Sequence, residues 1–238
     1  MRNLIQIAIF FCCLPFYGQV NQNTQPVEKD SVAQKPDPLY REDQFYASIS
    51  YNLIEGKPAG YSQNSFSTGF TIGFLRDIPV NKSRTFAIAA GLGYSYNNIK
   101  HNLFVEEVGG SRLYTAIDES TFDKNKFVLH FVELPVEFRW RNSGPVSHKF
   151  WRVYTGFKIS YLFNDRAQLE QGSEKIIVRH NADLNKLMYG AYLAAGWNTW
   201  NLYVYYGITP LYKNTAVLDN GQKVGLHSLN LGLMFYIL

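Results

Sequence analysis

The chain has 238 residues, room for one sizeable domain or two small ones, and its net charge of +4 comes with no basic block interleaved with stacking aromatics, which argues against a nucleic-acid partner. Aromatic residues make up 16% of the chain, yet mean hydropathy is only −0.19, and no apolar run reaches the roughly eighteen residues of a membrane-spanning helix. Both cysteines, Cys12 and Cys13, lie near the N-terminus, so neither a disulfide framework nor a cysteine metal site is expected in the rest.

Residues 1–18 read as a secretory signal, with Arg2 as the positive start, an apolar run from Leu4 to Leu14 broken by Gln6, and Gly18 before the cut. Residues 19–42 carry Pro26, Pro36, Pro38 and mixed charges among Asn and Gln, and read as a disordered periplasmic lead-in. From residue 43 the pattern becomes strict alternation, which gives a strand one apolar and one polar face. A first strand over 43–54 sets Phe45, Ala47, Ile49, Tyr51 and Leu53 against Ser48, Ser50 and Asn52. A second over 65–75 sets Phe66, Phe70, Ile72 and Phe74 against Ser67, Gly69, Thr71 and Gly73. A turn over 76–84 leads to a third strand, 86–96, whose inward Ala87, Ala89, Gly91, Gly93 and Ser95 suit a narrow barrel. A long loop over 98–126 contains Gly109-Gly110, and around 127–131 apolar residues occupy both parities, which predicts a bulge.

The clearest alternation runs from 132 to 163. One strand sets Val132, Leu134, Val136, Phe138 and Trp140 against Glu133, Pro135, Glu137 and Arg139; after a turn through Gly144-Pro145, a second sets Trp151, Val153, Phe157, Ile159, Tyr161 and Phe163 against Arg152, Tyr154, Gly156, Lys158 and Ser160. Apolar stripes of this length cross a bilayer when the strand is tilted, and tryptophan favours its boundary. A polar loop over 164–186, strands over 187–197 and 200–208, a loop over 210–225 and a last strand over 226–238 complete the chain. The fold class expected is all-β, an eight-stranded antiparallel transmembrane β-barrel of the outer-membrane type over 43–238. Short turns alternate with long loops, the bacterial pattern with the N-terminus in the periplasm. Trp140, Trp151, Trp197 and Trp200 all abut the short turns and form the expected periplasmic aromatic girdle. Outer-membrane lipid is the expected surrounding.

Three stretches resemble the PorT family: Tyr40-Arg41-Glu42-Asp43-Gln44-Phe45-Tyr46, the segment Arg76-Asp77-Ile78-Pro79-Val80-Asn81, and Glu137-Phe138-Arg139-Trp140-Arg141 continuing through Phe150-Trp151-Arg152. PorT proteins are outer-membrane barrels associated with the type IX (Por, or gliding) secretion system. The resemblance covers the barrel and implies a role in secretion or assembly, with other secretion-system proteins as partners, no catalytic residues and no cofactor.

Glu133, Glu137, Arg139, Arg152 and Lys158 all point inward. They mark either a polar path or a salt-bridged plug, and the narrow interior of eight strands favours the plug. A turn centred near Gly144-Pro145, with facing residue numbers that sum to about 290, puts Glu137 beside Arg152 and Glu133 near Lys158. Arg76, Lys82, Arg84, Arg141 and Lys149 gather positive charge at two turns, an ordinary solvated surface or, given the PorT resemblance, a docking site. His101, His130 and His180 have carboxylate and serine neighbours in sequence, but no spacing singles out a triad for a lipid-modifying enzyme. Gly91-Leu92-Gly93 sits inside a strand rather than before a helix, and no metal-ligand spacing or small-molecule site is evident. A lipocalin-like carrier would reverse the two faces, and a diffusion pore would need more strands.

Overall fold

Alternation of polar and apolar residues persists through the structure, a computed structural model that describes residues 43–63, 65–142 and 151–237. The signal at 1–18, the lead-in at 19–42, Gly144-Pro145 and Lys149 lie outside the described residues. Among the described residues, eleven strands follow in chain order: β1 (Gln44–Glu55), β2 (Thr68–Pro79), β3 (Phe86–Lys100), β4 (Leu103–Val108), β5 (Ser111–Ala116), β6 (Lys124–Arg141), β7 (Trp151–Gln171), β8 (Glu174–Arg179), β9 (Leu187–Trp197), β10 (Trp200–Gly207) and β11 (His227–Ile237). Eight of them close a barrel in the order β1-β2-β3-β6-β7-β9-β10-β11, every neighbour antiparallel. The last seam runs from Phe45 opposite Ile237 to Glu55 opposite His227. Closure pairs each of these eight strands with two neighbours, so the barrel wall has no edge with unmet backbone donors and acceptors in an apolar surrounding.

The faces are inverted relative to a soluble domain. Leu202 is 71% exposed on the outside, whereas Lys158 is 5% exposed on the inside. An apolar-lined carrier would show the opposite. Pro135 faces inward in β6 and has no N–H to donate, and there the ladder to β3 lapses between Ala90–Val136 and Gly93–Glu133.

Several boundaries differ from the sequence reading. β2 runs on to Pro79, so Arg76 and Asp77 belong to a strand and the turn shrinks to 80–85. The expected loop over 164–186 is mostly strand: β7 continues to Gln171 and returns as β8. The loop over 98–126 folds on itself as the β4–β5 hairpin, with Gly109 and Gly110 at the tip in positive φ. The bulge occurs where expected along β6, between His130 and Phe131, but the extra residue is Phe163 on β7. Past it, the inward parity of β7 switches from even to odd, to Asp165, Ala167 and Leu169.

These loop-end elements form a dome over the barrel mouth. Its core packs Ile54, Leu103, Val105, Leu129, Leu184, Leu211, Tyr212 and Leu218, among others. The Tyr114 hydroxyl donates to Asp183 at 2.8 Å and ties β5 to the chain before β9. Apolar residues scattered through polar sequence thus converge only once the strands are in register.

His101 is buried in this dome, stacked against Tyr61 at 5.7 Å, and its Nδ1 accepts the Leu103 N–H at 3.0 Å. Burial pushes its imidazole down from 6.5 to about 4. A His held neutral adds stability at pH above its unfolded value, and that stability is lost as pH falls through the folded one. The dome is therefore expected to lose up to about 3 kcal/mol between about pH 6.5 and about pH 4. Proteolysis of the loops should accelerate over that range, and His101→Gln should remove the His-dependent part of the change.

Candidate functional site

The lumen and the turn end of the barrel hold the charged residues singled out from sequence. At the turn end Asp77, the inward carboxylate of β2, is fully buried between two guanidiniums. Arg139 Nη1 donates to Asp77 Oδ1 at 2.9 Å. Arg141 Nη1 and Nη2 donate to Oδ1 and Oδ2, each at 2.9 Å, a bidentate pair. The Asp77 N–H in turn donates to Asp43 Oδ1 at 2.9 Å, linking β2 to the residue before β1.

One layer further in, Arg139 Nε donates to Glu137 Oε2 at 2.7 Å. The other oxygen of Glu137 accepts from the hydroxyls of Tyr192 at 2.8 Å and Tyr236 at 3.0 Å. Tyr192 reaches across because its neighbour is Gly156: a Cβ there would lie 3.0 Å from the tyrosine Cζ. The guanidinium of Arg139 also lies 4.8 Å from the centre of the Tyr154 ring. In the next layer Lys158 Nζ donates to Glu133 Oε2 at 3.0 Å and to the Tyr203 hydroxyl at 3.1 Å, with the Tyr205 ring 4.4 Å away. Above it, Asn52 donates to Asn97 Oδ1 at 3.0 Å, and Asn97 donates to Ser95 Oγ at 2.8 Å. A cavity of only about 20 Å³ lies beside Glu133 and Tyr205. The interior is thus filled with side chains.

The structure brings together Glu133 with Lys158 and Glu137 with Arg139, but not Glu137 with Arg152. Between the bulge and the turn, residues of β6 and β7 lie opposite when their numbers sum to 293, so Arg152 faces Arg141 and Glu137 faces Gly156. Arg152 is buried beside the rings of Tyr154 and Tyr236. The expected register failed because β6 runs through Arg141, which moves the centre of symmetry beyond Gly144-Pro145.

Arg141 itself is a correction. Expected on a solvated turn, it is fully buried, and besides binding Asp77 its Nε donates to the Arg84 carbonyl at 3.0 Å. Asp77 was missed as a lumen residue. The signal was present: Ile78 keeps the outward phase of Ile72 and Phe74, and Arg141 the inward phase of Glu137 and Arg139. Asp, Pro and closely spaced charges look like turn punctuation and masked it. Of the other basic turn residues, Lys82 is exposed in the turn, Arg84 is half-buried there at a φ of 59°, and Arg76 lies outside the barrel, 3.9 Å from Asp43.

The four tryptophans share the turn-end rim with their rings outward. Trp151 faces Trp197 at 5.4 Å, Trp200 meets Phe235 at 5.2 Å, and Trp140 stands opposite Phe86 and Val153. His130 Nδ1 pairs with the Tyr94 hydroxyl at 2.7 Å on the outer wall.

The family described as outer membrane protein beta-barrel domain matches residues 30–213. The chain belongs to that family. As a member of it, the barrel sits in a bacterial outer membrane, and its apolar belt is the lipid-facing surface. Among solved structures it is similar to Ail, the attachment invasion locus protein of Yersinia pestis, with 15% identity and a TM-score of 0.38 over 83% of this chain and 100% of that one. No curated protein matches this outer-membrane barrel.

Proposed function

We propose that the protein is a non-enzymatic component or assembly factor of type IX protein secretion, acting by docking a partner at its turn end, on the periplasmic side. The filled lumen is the observation that carries this reading. A barrel packed with Asp77–Arg139–Arg141, Glu137–Tyr192–Tyr236 and Glu133–Lys158 contacts cannot be a conduit, so it acts through what touches its rims. The stretches that resemble PorT direct those contacts to secretion. In this orientation the tryptophan rim lies at the inner boundary of the bilayer, with the 80–85 turn projecting below it. Catalysis on lipid is the weaker reading: His101 and His130 engage Leu103 and Tyr94, neither of which is a serine nucleophile.

Docking then rests on the exposed Arg76 and Lys82, while Arg141 braces the turn from inside. Replacing both exposed residues, Arg76→Ser with Lys82→Ser, is expected to lower secretion of type IX cargo roughly tenfold, as loss of steering charges slows association. The barrel should keep its heat-modifiable gel mobility. Secretion at the wild-type level from a folded double variant would reject docking at this turn.

A further inference from the structure

Above the apolar belt, at the loop end, the outer wall of β3, β6 and β7 changes character. Successive outward positions on β3, β6 and β7 first give an aromatic layer of Tyr94, Tyr96, His130 and Phe163, whose ring centres lie 5.3–6.3 Å apart. The next outward layers are cationic. Val128 faces Arg166, which faces Arg179; Lys100 faces Lys126; and Lys124 and Lys175 both flank Glu170. Inward parity on these strands belongs to Ile99, Phe127, Ala167 and Val178, all buried, so all six cations are on the membrane-exterior side.

Lys126 lies within electrostatic reach of Lys124, Arg166 and Lys175, with Glu170 the one carboxylate among these neighbours. That carboxylate is already engaged by Lys175 at 3.2 Å. The buried Arg166 Nε–H has no acceptor among the described residues. Glu119 and Asp123 line the cleft that Lys100 and Lys124 share, but with Glu170 they make three carboxylates against six cations, and this net positive charge favours an anion from outside. Its height fixes which one: directly over lipid-facing aromatics is the level of lipid headgroups.

We propose that this face binds the phosphate groups of an outer-leaflet glycolipid, with Lys100, Lys126 and Arg166 as principal ligands and the aromatic layer supporting the sugar and upper acyl region. The assignment to the outer leaflet rests on the loop end facing outward, as in the function proposed above. Binding itself can be tested whichever way the barrel points.

The full chain, refolded in zwitterionic detergent, is titrated with diphosphorylated lipid A and with its dephosphorylated counterpart. Wild type should prefer the phosphorylated lipid by more than about tenfold. The triple variant Lys100→Gln, Lys126→Gln and Arg166→Gln should weaken that binding roughly 100-fold, at roughly fivefold per cation removed. A control triple variant at exposed loop lysines off this face, Lys57→Gln, Lys213→Gln and Lys223→Gln, should bind as wild type does. Equal binding of the two lipids by wild type would overturn the proposal even if the first variant did not fold. Equal weakening in both triple variants would overturn it in favour of diffuse net charge.

Discussion

Replacing Asp77 with Asn is expected to destabilise the folded barrel by about 3–5 kcal/mol, the range for removing one partner of a buried ion pair. The carboxylate serves two guanidiniums at once, Arg139 through one oxygen and Arg141 through both, and no side chain of the set has solvent access. Asn keeps the shape and one acceptor, but it turns an N–H donor toward a guanidinium and leaves two positive charges against one remaining carboxylate, Glu137. The loss also reaches the turn, because Arg141 holds the Arg84 carbonyl. Urea unfolding in lipid vesicles would measure it, with Asp77→Glu as a charge-retaining comparison. A variant within about 1 kcal/mol of wild type would mean the guanidiniums are hydrated in the lumen, as exposed pairs are.

The Glu133–Lys158 pair should show strong coupling. Glu133→Leu alone leaves a buried ammonium with the Tyr203 hydroxyl and the Tyr205 ring, and is expected to cost about 3–5 kcal/mol. Adding Lys158→Met removes the stranded charge, and the double variant should recover to within about 1 kcal/mol of wild type, since apolar replacements of buried pairs are often neutral. Both residues sit in a closely packed layer where side chains of similar volume can substitute without opening a cavity. A double-mutant cycle in urea decides it: additive losses would show the two groups to be solvated independently.

The Asp77 and Glu133 sites differ in how clearly the sequence marks them. Glu133 and Lys158 were legible as lumen residues because each sits at an inward parity inside a long, clean alternation. Asp77 and Arg141 obey the same parity, yet each lies where a strand ends and charged or turn-forming residues accumulate. Parity holds to the end of the strand; composition changes earlier, and composition had set the boundary. Parity places Arg152 inside, but its neighbour depends on the register: facing numbers sum to 293 rather than about 290, so Arg152 faces Arg141 and not Glu137.

The sequence by itself determined the architecture. Side chains two apart share a face, so alternation fixes strand, face and the number of crossings, and tryptophan placement marks one rim. Only the tertiary structure decided who meets whom. The dome at the loop end draws Ile54, Leu103, Leu184, Leu211 and Leu218 from distant segments with no common period. The lumen pairs join β2 to β6, and β6 to β9 and β11, across distances that no local pattern encodes. Burial inside a closed wall then sets their strength, because a charge cut off from water must find its partner among whatever residues register places beside it.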